Sequence, residues 1–525
     1  MVNGRYKYES VRQKVKANEY SHLIILGNGF DLKCGLHTTY DAFFDERFGI
    51  EEACEVNKTI NKNDYRKKLK ENLKNQIKDN GFNTSYFDDL KFIKQIVLNT
   101  FKDSIGTLQQ DHKELLEEEQ KRLENIKYTK WDAIFLFTFV TLTDESIIYW
   151  NDVERIIYFV ITWVLKKYEE VKNSHADDYM DDGSQDADLY LAFIQLFSNF
   201  EFEDLGYLSN MYIENEMQLY APEYLRLIIE KQFIPKDKII NSKNIDSVAI
   251  EMLQSLNEFE RNFSAFIIEQ IDKKNQGKVA YVDAASDLLS LIIQPHIEKL
   301  NGSIAALPKV NLDILNFNYS LNQKYILTIE LRQKTAENWN INSFTNIHGI
   351  ATNNSEDKKE RSKSVKNQDK TPAPIFGVDS HDIWRSNNTN FDDPRVIFTK
   401  SFRLLDNHVN DMRTANFQDR VDVITFFGHS LSHADYSYFE SIFDKYHIYD
   451  SNVKLEFYYY PGEVKPDSKS EDIQAEKKRQ ERKTMKNVVE LLTAYGETVP
   501  GIHGENIINK LMLEQRLSVL PYPEI

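Results

Sequence analysis

Leu23-Ile24-Ile25-Leu26-Gly27-Asn28-Gly29-Phe30-Asp31 decides how the chain is read. Four uninterrupted apolar residues stopping at a glycine pair are the pattern of a strand buried on both faces that feeds a tight turn. Comparable runs are absent for almost three hundred residues. They return as Leu312 to Phe317, Ile375 to Val378, Val421 to Gly428 and Val453 to Tyr460. Buried strands that end in Gly, Asn or Asp and lie far apart in sequence predict an α/β fold with a mainly parallel sheet and helices on both faces. Between about residues 51 and 305 the texture changes to charged stretches with three-to-four spacing, as in His112 to Lys127 and Val248 to Lys274. This predicts a helical insertion (51–305) that splits the α/β domain into a first part (1–50) and a remainder (306–525). Acidic Asp177 to Asp188 reads as an exposed loop, Lys358 to Lys370 as a solvated loop, and Lys465 to Lys483 as the polar start of a helix.

Composition narrows the function classes. The chain has 525 residues, 65 basic and 82 acidic, for a net charge of −17, and its 12% aromatic content requires a substantial core. Such acidity argues against bulk nucleic acid or anionic lipid as a partner. Cys34 and Cys54 are too few to staple a chain of this length and have no zinc spacing, which points to a reducing compartment. The polar start carries no apolar signal segment. Ile134 to Leu142 and Ile156 to Leu165 are too short to span a bilayer and are flanked by charges. The expected location is the cytoplasm, with no membrane partner.

The turn Gly27-Asn28-Gly29-Phe30-Asp31 stands where a phosphate-cradling loop belongs, because glycines let backbone N–H groups approach an anion. The fingerprint G-x-G-x-x-G fails, since its third position is Leu32. Instead Gly35-Leu36, Thr38, Tyr40 and Phe43 follow. With Trp150-Asn151-Asp152-Val153-Glu154, Asn316-Phe317-Asn318-Tyr319, His348-Gly349, Ile375 to Asp379, and Gly428-His429-Ser430-Leu431 with Asp435, Tyr438 and Phe439, this set resembles the AbiH family of bacteriophage abortive-infection proteins. The order Gly27 to Gly29, Gly35-Leu36, Asn318, His348-Gly349, Gly428 to Leu431 is also similar to sirtuin-like NAD-consuming domains. There are departures: Asn28 lies between the glycines, His37 replaces a proline and Ser320 an aspartate. The absence of a four-cysteine zinc module argues against a protein deacylase.

What the resemblance implies is an NAD pocket at the carboxyl ends of the strands, in a phage-defence effector that hydrolyses NAD. Breaking the ribose–nicotinamide bond builds an oxocarbenium-like cation, so the site needs diphosphate-binding backbone, a carboxylate near the cation and a base. Gly27, Asn28, Gly29 and Phe30 would hold the cofactor, together with Gly428, His429, Ser430 and Asp435. Asp31 would face the cation, His348 would be the base, and Asn318 would orient ribose or water.

Each of these has a structural rival. The glycines could serve a strained turn alone, Asp31 a helix cap, Asn318 the loop backbone, and His348 or His429 a hydrogen-bonded turn. Glu154 is expected at N3 of a capping box with Asn151 as N-cap; the alternative projects it over the pocket as a second acid. No fixed metal-ligand spacing appears, so no metal is expected, and Gly428 to Ser432 lacks the closing glycine of a nucleophilic serine elbow. The competing functions are a non-catalytic NAD or nucleotide sensor and a metal-dependent phosphodiesterase or nuclease. The aromatic-rich insertion offers a face for a second copy of the chain or for a defence partner protein.

Overall fold

The computed structural model describes residues 19–80, 90–105, 113–142, 150–173, 228–229, 232–233, 244–301, 309–333, 339–352, 374–378, 380, 383, 393–406, 417–431, 435–462, 470–499 and 506–524. The acidic stretch 177–188, the charge run 358–370 and Asp379 lie outside them. Six strands form one sheet: β1 (Glu19–Leu26), β2 (Lys309–Asn316), β3 (Trp339–Asn346), β4 (Val423–Phe427), β5 (Lys454–Tyr459) and β6 (Leu517–Pro521). All pairings are parallel and the order is β3-β2-β1-β4-β5-β6. This is the order of doubly wound dinucleotide-binding sheets, in which the connections reverse direction between β1 and β4.

Helices make up most of the rest of the described chain. After β1 come α1 (Asn28–Lys33), α2 (Tyr40–Arg47), α3 (Ile50–Val56), α4 (Lys62–Asn80), α5 (Lys91–Ile105), α6 (Lys113–Asn125), α7 (Lys130–Leu142), α8 (Trp150–Asn173), α9 (Ile245–Asn275) and α10 (Tyr281–Asn301). Then follow α11 (Gln323–Gln333) between β2 and β3, α12 (Lys400–Asp406) before β4, α13 (Tyr436–Lys445) after it, and α14 (Ser470–Thr498) and α15 (Ile507–Leu513) between β5 and β6. Among the described residues, no strand lies between β1 and β2. None of the described helices is long and apolar enough to cross a membrane.

β1 is apolar throughout its second half because it is central. Ile24 and Leu26 belong to the core shared with the insertion helices, whereas Leu23 and Ile25 pack on the other face with α13, α14 and α15. Full burial of each such side chain contributes roughly 1.5–3 kcal/mol. The insertion is joined to the sheet domain by an aromatic layer. Phe263 of α9 stacks on Tyr40 at 5.0 Å and meets Phe43 edge-on at 5.1 Å, so these two α2 residues serve the core.

Two parts of the expected strand set need correction. Ile375 to Val378 contributes no strand to the sheet; Val378 makes an isolated bridge to Thr399, and the segment is held by Glu260 of α9, which accepts the Phe376 N–H at 2.7 Å. β3 and β6, which no apolar run announced, do belong to it. They are the two edge strands; β3 mixes buried with partly exposed positions and β6 has no buried residue, so neither carries the uninterrupted apolar signature.

Candidate functional site

The glycine turn packs against the turn that follows β4. Gly27 N–H donates to Phe427 O (2.9 Å), Gly29 N–H to Gly428 O (2.8 Å) and Phe30 N–H to Gly27 O (2.9 Å). Three N–H groups expected to face a diphosphate therefore bind protein carbonyls. Space explains the glycines. A Cβ at Gly27 would lie 2.6 Å from Gly428 O, and one at Gly29 would lie 2.6 Å from Gly428 Cα and against the Tyr522 hydroxyl. Gly428 itself has φ of +70°, in the left-handed region, so a side chain there would be strained as well as crowded. A branched residue at Gly29 would consequently wedge apart the β1 and β4 turns before it reached any phosphate. Asn28 is exposed and its Oδ1 accepts the Thr38 hydroxyl at 2.7 Å.

Asn318, after β2, is directed at this turn. Its Nδ2 donates to Gly27 O at 2.9 Å, and its own N–H is received by Asn316 Oδ1 at 3.2 Å. The amide that was expected to orient ribose thus holds the glycine turn in place. Asp31 is not a helix cap, because Gly27 occupies that position of α1. Its Oδ1 accepts Tyr281 Oη of α10 at 2.7 Å, and its Oδ2 accepts Ser320 Oγ at 2.5 Å. Burial pushes the carboxyl up to about 6, against the pull of those two hydroxyl donors. Asp31 ties α1 to the insertion and to the β2 turn, with both oxygens engaged, and is too enclosed to face a ribosyl cation in this geometry.

The strongest concentration of charge lies beside these turns. Asp435, at the start of α13, is surrounded by donors: His348 Nε2 at 3.0 Å and Lys400 Nζ at 2.9 Å share its Oδ1, and His429 Nε2 approaches Oδ2 at 3.5 Å. Lys400 also reaches Glu154 Oε1 of α8 at 2.8 Å. The side chains are 2–5% exposed. Lys400 is held charged by its two carboxylates despite burial, and that ammonium with the histidine hydrogen bonds holds Asp435 well below the usual carboxylate range. His429 Nδ1 accepts the Leu431 N–H at 3.0 Å, which places its proton on Nε2, facing Asp435. An ionised Asp435 likewise requires His348 Nε2 to be the donor, so neutral His348 has its basic lone pair on Nδ1. Phe317 separates the two imidazoles, with centroid distances of 5.4 Å to His348 and 4.8 Å to His429. A histidine oriented by a buried carboxylate is the arrangement that lets imidazole act as a general base.

Glu154 corrects the capping expectation. α8 begins at Trp150, so Asn151 is within the helix, and the Glu154 carboxylate binds Lys400. Of the residues singled out in sequence, His348, His429 and Asp435 converge here, Phe317 joins them, and Ser430 is exposed. Lys400 belonged to no motif. Its only sequence signal is position, a lysine within Val396-Ile397-Phe398-Thr399-Lys400-Ser401-Phe402, since a lysine in an apolar run must find a partner when buried. Among the described residues no group of three His, Cys, Asp or Glu side chains is placed to hold a metal ion, and the centre of this cluster is filled by the Lys400 ammonium. Compared with known proteins, the chain matches no family model, no curated protein and no solved structure.

Proposed function

We propose that the protein is an enzyme of the AbiH type that hydrolyses NAD at the nicotinamide–ribose bond in phage defence. The observation that carries this reading is the buried His348–Asp435 pair, set at the carboxyl ends of the strands and next to the β1–β4 reversal, where doubly wound sheets bind nucleotides. In this reading water attacks the anomeric carbon as the bond to nicotinamide breaks. Nicotinamide leaves neutral, His348 Nδ1 takes the proton from water and passes it to solvent, and ADP-ribose remains. Asp435 keeps the imidazole in the productive tautomer, and Lys400 keeps Asp435 ionised.

One observation favours the second reading, a nucleotide sensor without turnover: His348 is only 2% exposed. Turnover separates the two. Purified protein incubated with excess NAD, followed by chromatography, is expected to yield nicotinamide and ADP-ribose in amounts far above the protein present. His348→Gln, which keeps a donor to Asp435 and removes the base, is expected to lower the rate about 10²–10⁴-fold while the melting temperature stays close to that of the parent. Intact NAD would overturn the enzyme reading, and an unaffected rate in His348→Gln would overturn the role of His348. Asn318→Ala tests a different property: with its amide on Gly27 O, the variant is expected to lose about 1–3 kcal/mol of stability.

A further inference from the structure

We propose that Lys400 and Glu154 are positioning residues that set the basicity of His348, so that the helical insertion acts on the site through α8. The proposal rests on the reading of His348 as a base, and it makes its own demand on the geometry. Lys400 Nζ and His348 Nε2 bind the same oxygen of Asp435, at 2.9 and 3.0 Å. Any change in the hold of Lys400 on that oxygen therefore changes the negative charge that the imidazole meets. Lys400 also binds Glu154, a residue that the insertion contributes.

The surrounding groups define the sign. Lys400 is cationic, and Asp435 and Glu154 are anionic. His429 Nδ1 accepts the Leu431 N–H, so its Nε2 faces Asp435 as a donor. From the β2 turn, Tyr319 keeps its phenolic proton, its acidity suppressed first by burial and then by the charges of Glu154, Asp435 and Glu260. Arg403 of α12 and Glu260 of α9 neutralise one another nearby. Tyr438 of α13 packs edge-on to the His348 ring at 5.5 Å and Phe317 at 5.4 Å. Among the described residues one ammonium thus stands against two carboxylates, all of them buried, where charge effects are strongest.

Deleting either member moves His348 in opposite directions. Glu154→Gln keeps the size and hydrogen-bonding capacity and removes one negative charge, so imidazolium is less favoured. Lys400→Met removes the positive charge, so imidazolium is more favoured. The test is the acid limb of the pH–rate profile for NAD hydrolysis, together with the His348 titration followed by NMR of ¹⁵N-histidine-labelled protein, assigned with His348→Gln. Glu154→Gln is expected to lower the midpoint by about one pH unit and Lys400→Met to raise it by a similar amount. A purely structural role would lower both melting temperatures without separating the midpoints. Midpoints that stay fixed or move in the same direction would overturn the proposal. If Lys400→Met fails to fold, the direction of the Glu154→Gln shift decides. If the protein leaves NAD intact, the enzyme reading falls, and the NMR titration alone decides whether Lys400 and Glu154 tune His348.

Discussion

Among the described residues two histidine–carboxylate clusters are buried, one at the strand ends and one in the middle of the sheet. In the middle, Tyr20 Oη meets His296 Nδ1 at 3.2 Å and His296 Nε2 meets Glu456 Oε2 at 3.1 Å. Thr425 Oγ1 links Glu456 at 3.3 Å to His22 Nε2 at 2.8 Å. These residues come from β1, β4, β5 and α10 and lie on the face that carries Ile24 and Leu26. The strand-end cluster of His348, His429, Asp435, Lys400 and Glu154 is built from turns and helix starts, and it contains a lysine ion-paired with two carboxylates. The contrast teaches that burial of a histidine beside an acid does not mark a working site. The first cluster lies on a sheet face, between the central strands and α10, whereas the second lies where segments leaving the sheet meet, which is where doubly wound proteins do their chemistry.

The difference in charge sets the largest expected effect. Lys400→Met leaves Asp435 and Glu154 buried without their shared cation and is expected to cost about 3–5 kcal/mol in denaturant unfolding. Neutralising both acids in the same background, with Glu154→Gln and Asp435→Asn, should restore most of it. A loss below about 1 kcal/mol in Lys400→Met would place the ammonium in water and erase the contrast. The mid-sheet cluster responds to acid instead. Burial, then the neighbouring His296, holds His22 well below its ordinary range. Folded His22 thus stays neutral while the unfolded chain takes up a proton as pH falls below about 6.5. Its share of stability is present above that value and lost below it. Relative to the parent, His22→Leu is expected to gain roughly 2 kcal/mol of stability between pH 7 and pH 5, read from unfolding curves at the two values. A constant difference would mean that His22 accepts its proton in the folded state.

How far the sequence carries is clearest from individual residues. Central strands are legible because both faces of β1 and β4 are covered, and the resulting apolar runs at Leu23 to Leu26 and Val421 to Gly428 have no other easy reading. The edge strands β3 and β6 escape because partial exposure lets Asn340, Asn342 and Ser518 into them. His348, His429 and Asp435 are visible through the motif blocks His348-Gly349 and Gly428 to Leu431 with Asp435, and the sheet topology gathers them at one end. Lys400 and the true partner of Glu154 are invisible, since their pairing joins an insertion helix to a short helix far along the chain. The glycine turn shows a subtler failure. Gly27 and Gly29 do report a close backbone approach, but the partner is Gly428 of the same chain rather than a ligand.

The most direct test of the strand-end site uses the same ¹⁵N-histidine-labelled protein and millimolar NAD. The account predicts that the resonances of His348 and His429 shift while those of His22 and His296 stay fixed, and that nicotinamide accumulates in the same tube. Unshifted His348 and His429 resonances at saturating NAD, or shifts confined to His22 and His296, would contradict it.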